Sequence, residues 1–67
     1  MDLKAAVVSS LSSGSPVVLT KKLKIVANQN NKEVKIKLLC DDALVWTDCN
    51  TLDNIVADLE SEFYNFQ

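Results

Sequence analysis

The stretch Leu23-Lys24-Ile25-Val26-Ala27-Asn28-Gln29-Asn30-Asn31-Lys32-Glu33-Val34-Lys35-Ile36-Lys37-Leu38-Leu39-Cys40 decides the fold. On its left side Leu23, Ile25 and Ala27 alternate with Lys24 and Val26. On its right side Val34, Ile36, Leu38 and Cys40 alternate with Lys35, Lys37 and Leu39. A period of two places one set of side chains on each face of a pleated strand, so both sides read as half-buried strands. Asn28 to Asn31 tolerate positive φ, and a tight turn is expected at Asn30-Asn31. That turn sets Ala27 opposite Val34, Ile25 opposite Ile36, Leu23 opposite Leu38 and Lys24 opposite Lys37. The first three pairs put apolar groups on one face, which specifies the register.

Outward from this hairpin the pattern becomes helical. Towards the N-terminus, Leu3, Ala6, Val7 and Leu11 share a helical stripe, with Asp2 as the expected N-cap. The stripe runs into Ser12-Ser13-Gly14-Ser15-Pro16, where Gly14 closes the helix and Pro16 prevents its continuation. Towards the C-terminus, Asp41-Asp42-Ala43 reads as a turn and Leu44 to Asp48 as a third strand. Leu52, Ile55, Val56, Leu59, Phe63 and Phe66 then form a second, longer stripe capped by Asn50 or Thr51. The expected fold is α+β in the order α-β-β-β-α, a three-stranded antiparallel meander with both helices packed on one face, over residues 1–67 as a single domain.

This element order resembles that of double-stranded-RNA-binding domains. Those domains place a lysine cluster at the start of the last helix, where this chain has Asn50-Thr51-Leu52-Asp53-Asn54. The resemblance therefore implies a fold and no function.

Composition removes most chemistries. With 67 residues, 48% of them hydrophobic and 24% charged, the chain is globular but near the lower limit for a self-sufficient core. It contains no histidine, the commonest general base and metal ligand. Its seven basic residues are all lysines, which lack the bidentate fork of arginine. One glycine rules out a glycine-rich phosphate loop. Cys40 and Cys49 are too few for a zinc site without histidine partners, and neither the register nor the absence of a signal-peptide pattern favours a disulfide. No enzyme activity, cofactor or metal is expected, and the expected location is cytoplasmic.

Charge is divided along the chain. Residues 1–40 hold all seven lysines and two acids, a net of +5, while residues 41–67 hold seven acids and no base, a net of −7. Lys22, Lys24, Lys35 and Lys37 are expected on the sheet face away from the helices. Strict alternation through a two-residue turn adds Trp46 to that face; a three-residue loop turns it inward. The acids Asp41, Asp42 and Asp48 come from the hairpin and third strand. On the last helix Asp53 and Glu60 flank one side of the apolar stripe, and Asp58 and Glu62 the other.

Two surfaces follow. An acidic one made of Asp41, Asp42, Asp48, Asp53, Asp58, Glu60 and Glu62 fits a basic site on a partner protein, whether or not that site also holds nucleic acid, as in the small antagonists and nucleic-acid mimics of phages and mobile elements. A basic one made of Lys22, Lys24, Lys35 and Lys37 with Trp46 fits single-stranded nucleic acid, weakly. A third possibility is a homo-oligomer whose opposite charges meet head to tail.

Overall fold

A computed structural model describes residues 3–65. The elements are α1 (Leu3–Ser13), β1 (Val17–Val18), β2 (Leu23–Asn30), β3 (Glu33–Cys40), β4 (Ala43–Asn50) and α2 (Leu52–Asn65). The α+β class is as expected, but the sheet has four antiparallel strands in the order β1-β2-β3-β4, not three. The added strand is short. Val17 pairs with Ile25 and Val18 with Lys24, which extends the sheet by two residues before Leu19 and Thr20 turn towards Leu23. Two residues carry almost no alternation, so β1 leaves no sequence pattern of its own. Asp2 and Phe66, expected as a cap and a stripe member, lie outside the described residues.

The β2–β3 register differs from expectation by two residues. Leu23 pairs with Cys40, Ile25 with Leu38, Ala27 with Ile36 and Gln29 with Val34, around a turn at Asn31-Lys32 in which Asn31 takes a left-handed φ of 56°. A two-residue shift keeps every side chain on its expected face, which is why the alternation could not distinguish the two. Charge does distinguish them. The expected register set Lys24 against Lys37; the observed one sets Lys24 against Leu39, Lys37 against Val26 and Lys35 against Asn28, so no lysine on these strands faces another.

The β3–β4 turn is Asp41-Asp42, with φ of 51° and 67°. Positive φ at both central residues marks the turn whose twist matches flanking strands, and aspartate tolerates it. After two regular pairs the ladder slips: Leu39 pairs with Leu44 but Leu38 with Trp46, leaving Val45 as the extra residue of a bulge. The strand is correspondingly longer than Leu44 to Asp48.

These registers define rows across the sheet. Val17-Ile25-Leu38-Trp46 crosses all four strands on the helix side, and Val18-Lys24-Leu39-Leu44 crosses them on the open side. The helix-side rows supply buried Leu23, Ile25, Ala27, Val34, Ile36 and Leu38. The helices add Leu3, Ala6 and Val7 from α1 and Ile55, Val56, Leu59 and Phe63 from α2, to make one core. The helices divide the sheet between them, α1 over β1 and β2 and α2 over β3 and β4, and they touch each other.

One polar residue lies at the centre of this packing. Ser10 is fully buried in α1, and its hydroxyl donates to the Ser15 carbonyl (2.9 Å) and accepts the Ala27 N–H (3.0 Å). β1 stops opposite Ile25, so the N–H of Ala27 would otherwise have no strand to bond. Ser10 supplies that missing acceptor and ties the helix end to β2. Gly14 closes α1 in a left-handed conformation (φ 69°), its N–H donating to the Ser10 carbonyl at 2.8 Å.

Ser10→Ala leaves the buried Ala27 N–H without an acceptor and is expected to cost about 1–3 kcal/mol of unfolding free energy in a urea titration. Ser9→Ala, one position away and exposed, should stay within about 0.5 kcal/mol of wild type. Equal effects of the two would show that the hydroxyl bridge contributes nothing.

Candidate functional site

The two surfaces read from the sequence fare differently. Trp46 lies in the helix-side row opposite Leu38 and packs, half-buried, against the core. The Val45 bulge is the reason: without it Trp46 would stand opposite Lys37, on the lysine face. The proposed basic surface therefore loses its aromatic. Its lysines remain: Lys24 on β2 and Lys35 and Lys37 on β3 lie on the open side, and Lys22 lies just before β2, its carbonyl accepting the Asp41 N–H. Lys24 does not face Lys37 but reaches the turn, where its Nζ lies 3.4 Å from Asp42 Oδ1.

Around these lysines the open side is more apolar than the alternation implied. Val18 is 61% exposed and Leu44 54% exposed, and both share a row with half-buried Leu39. Half-buried Val26 stands in the next row with Lys37 and Thr47. The unbroken apolar run Ala43-Leu44-Val45-Trp46 is the signal that could have shown this, because a strand that does not alternate must either bury both faces or bulge.

The seven acids form no single cluster. Asp41 and Asp42 occupy the β3–β4 turn, and Asp42 is engaged with Lys24. Asp48 is exposed on the edge strand β4, where its carboxylate accepts the N–H of Cys49 at 2.8 Å. On α2, Asp53 lies 3.9 Å from Lys4 of α1, with both side chains largely in water. This contact marks the flank of α2 that faces α1. Asp53, Ala57, Glu60 and Tyr64 follow one another at steps of four, three and four residues, so they form the α1-facing flank of α2. Asp58 and Glu62 form the other flank, above the β4 side. No base lies anywhere in α2, and Glu62 stands in its last turn.

The start of α2 is held by a side chain from the end of β4. Asn50 Oδ1 accepts the Thr51 N–H (2.8 Å) and the Asn54 amide (3.5 Å), while the Thr51 carbonyl accepts the Ile55 N–H (2.8 Å). The thiols are free and on opposite faces. Cys40, half-buried, continues the helix-side set rather than being fully enclosed. Cys49 stands opposite Lys35 on the open side, its Sγ 3.6 Å from Asn30 Nδ2 and 3.9 Å from Glu33 Oε1. Among the described residues no group of three or more Cys, Asp and Glu could hold a metal ion, and no helix is long and apolar enough to cross a membrane.

No protein-family model, curated protein or solved structure matches the chain. The likeness to double-stranded-RNA-binding domains is one of element order only, and the additional strand β1 departs from it.

Trp46→Ala should lower stability by about 1–3 kcal/mol, since it empties part of the core at the sheet edge, and native Trp46 emission should lie to the blue of the unfolded protein. Emission unchanged on unfolding would place the indole in water. Removing the charge of Glu62 with Gln should leave stability equal or raise it by about 0.3–1 kcal/mol, because a negative charge at a helix C-terminus opposes the dipole. Thermal melts of the two variants check both expectations.

Proposed function

We propose that the chain is a non-catalytic protein-binding module, a small modulator or inhibitor whose acidic surface meets a basic site on another protein. The observation that carries this reading is α2: a 14-residue helix with four acids and no base, whose flanks present Asp53 and Glu60 on one side and Asp58 and Glu62 on the other. Asp48 on β4 and the Asp41-Asp42 turn extend the same sign along the neighbouring strand. Surface ion pairs of this kind each contribute about 0–1 kcal/mol, so affinity has to come from several together and from the field they sum to. Such a field accelerates encounter with a cationic partner and fades with salt, since charges in water are screened over about 8–10 Å at physiological ionic strength.

The competing nucleic-acid reading lacks its stacking group. Base stacking on an aromatic contributes about 1–3 kcal/mol per base, and no aromatic side chain of the described residues lies in the open-side rows of the sheet. Lysines alone leave only weak, sequence-independent attraction to phosphate.

Fluorescence anisotropy with two probes tests the proposal. A labelled lysine-rich peptide should bind at low salt and be released by about 0.5 M salt. The variant with Asp58→Asn, Glu60→Gln and Glu62→Gln should bind it at least about tenfold more weakly while keeping its fold. In cells, a tagged copy should retain a stoichiometric protein after nuclease treatment, and the same triple variant should lose it. Peptide binding that ignores the acids, or tight binding of a single-stranded oligonucleotide abolished by Lys35→Gln and Lys37→Gln, would overturn it.

A further inference from the structure

The sheet has one covered face and one bare one, and its edges are interrupted by local polar contacts and a bulge. Along β2 the free N–H of Ala27 is taken by Ser10, β4 carries a bulge at Val45, and Asp48 occupies the N–H of Cys49. A bulge, inward polar bonds and edge charges are the devices that stop strand-to-strand addition. What remains available is the open face: Val18, Leu39 and Leu44 in one row, Val26 beside them, with Lys35 and Lys37 adjoining. Neither of these two lysines has an ion pair among the described residues.

The helix layer on the opposite side of the molecule carries the complementary pattern. Its outer surface exposes Val8 of α1 (44%) and Tyr64 of α2 (74%), with Asp53 and Glu60 on the same flank as Tyr64 and Asp58 across from them. One side thus presents apolar groups among lysines; on the other, Lys4 of α1 is paired with Asp53 at 3.9 Å, and Asp58, Glu60 and Glu62 of α2 give the remaining charge a negative sign. We infer that the occupant of the open sheet face is the helix layer of a second copy of this chain, stacked head to tail. Face-to-face pairing of two sheets would oppose lysine to lysine, and helix-to-helix pairing would oppose acid to acid; only the heterologous arrangement matches sign at both surfaces. The net charge of −2 is too small for whole-molecule repulsion to prevent it. Because the two surfaces lie on opposite sides, each added copy presents a fresh face, and the contact generates an open chain rather than a closed pair.

The face sets the strength. Strands of eight residues at about 3.3 Å per residue and about 4.8 Å apart give a surface on the order of 400 Å2, hence roughly 800 Å2 buried over both partners. That lies below the usual range for stable complexes, so the association is weak and concentration-dependent. The contact uses the acids of α2, as the proposed function does, but with the chain's own lysine face as partner.

Sedimentation velocity on the full chain tests it, from about 10 μM to about 1 mM at low salt and again at about 0.5 M salt. The mean mass should climb with concentration without stopping at two copies, and fall back to the monomer at high salt. Leu44→Glu blocks the sheet face, and Glu60→Lys with Tyr64→Lys blocks the helix layer; each variant alone should stay monomeric. Mixed in equal amounts they should form a two-chain complex and nothing larger, since each lends the surface the other lacks. Val18→Glu gives a second block of the sheet face if Leu44→Glu disturbs folding, which Trp46 emission reports. A wild-type monomer throughout, a plateau at two copies, or a mixture that stays monomeric overturns the inference. Leu44→Glu leaves the α2 acids in place, so it should still bind the lysine-rich peptide. Peptide binding without self-association defeats this inference alone, and self-association without peptide binding defeats only the proposed function.

Discussion

The pairing of β2 with β3 fixes almost everything else in the molecule. Once Leu23 meets Cys40 and Ala27 meets Ile36, the apolar residues of both strands fall on one side, where the two helices cover them, and the lysines fall on the other. The pairing is constrained from two directions. Burial demands that Ile25, Ile36 and Leu38 share a face, which allows any register differing by an even number of residues. The observed register also avoids the opposition of Lys24 and Lys37, giving each of Lys24, Lys35 and Lys37 an uncharged residue across the ladder.

The outer strands are fitted to this central pair by local polar contacts. β1 is too short to cover the edge of β2, and the hydroxyl of Ser10 completes what it leaves. Thr20 acts similarly at the other end of that edge, its Oγ1 accepting the N–H of Leu23 at 3.2 Å. On the far side, Thr47 donates from its hydroxyl to the Ile36 carbonyl at 2.9 Å just past the bulge, which fastens β4 where its ladder has slipped. Side chains thus take over wherever backbone pairing ends, as a small sheet requires if no buried donor is to go unmatched.

Much of this was legible in the sequence, and the failures have specific causes. The helical stripes of α1 and α2, the hairpin and the sidedness of residues 23–27 and 34–40 followed from periodicity. The exact turn did not, because Asn28 to Asn31 offers several residues that accept positive φ and the alternation is blind to a two-residue shift. β1 was too brief to carry a pattern. Ser10 looked like one serine among five between residues 9 and 15, and nothing in its neighbours marks it as the acceptor for an amide seventeen residues away. Trp46 was undetermined because one extra residue reverses its side, and a bulge is a tertiary choice that depends on where the indole finds cover. For the candidate surfaces, the charge division was plain from residue numbers alone. Which acids and lysines engage each other required the turn at Asp41-Asp42 and the packing of α1 beside α2.

Val45 has a further consequence for how this chain tolerates change in length. It is the surplus residue of β4: the pairs before it and after it are each in step with β3, and it has no partner of its own. A lineage that lost this codon would keep Leu44 opposite Leu39 and Trp46 opposite Leu38, so every side chain would retain its side of the sheet. What would disappear is the kink. The outermost strand would straighten into a regular edge, easier for a neighbouring strand to join, and the deletion would be felt first as a tendency to precipitate rather than as a failure to fold.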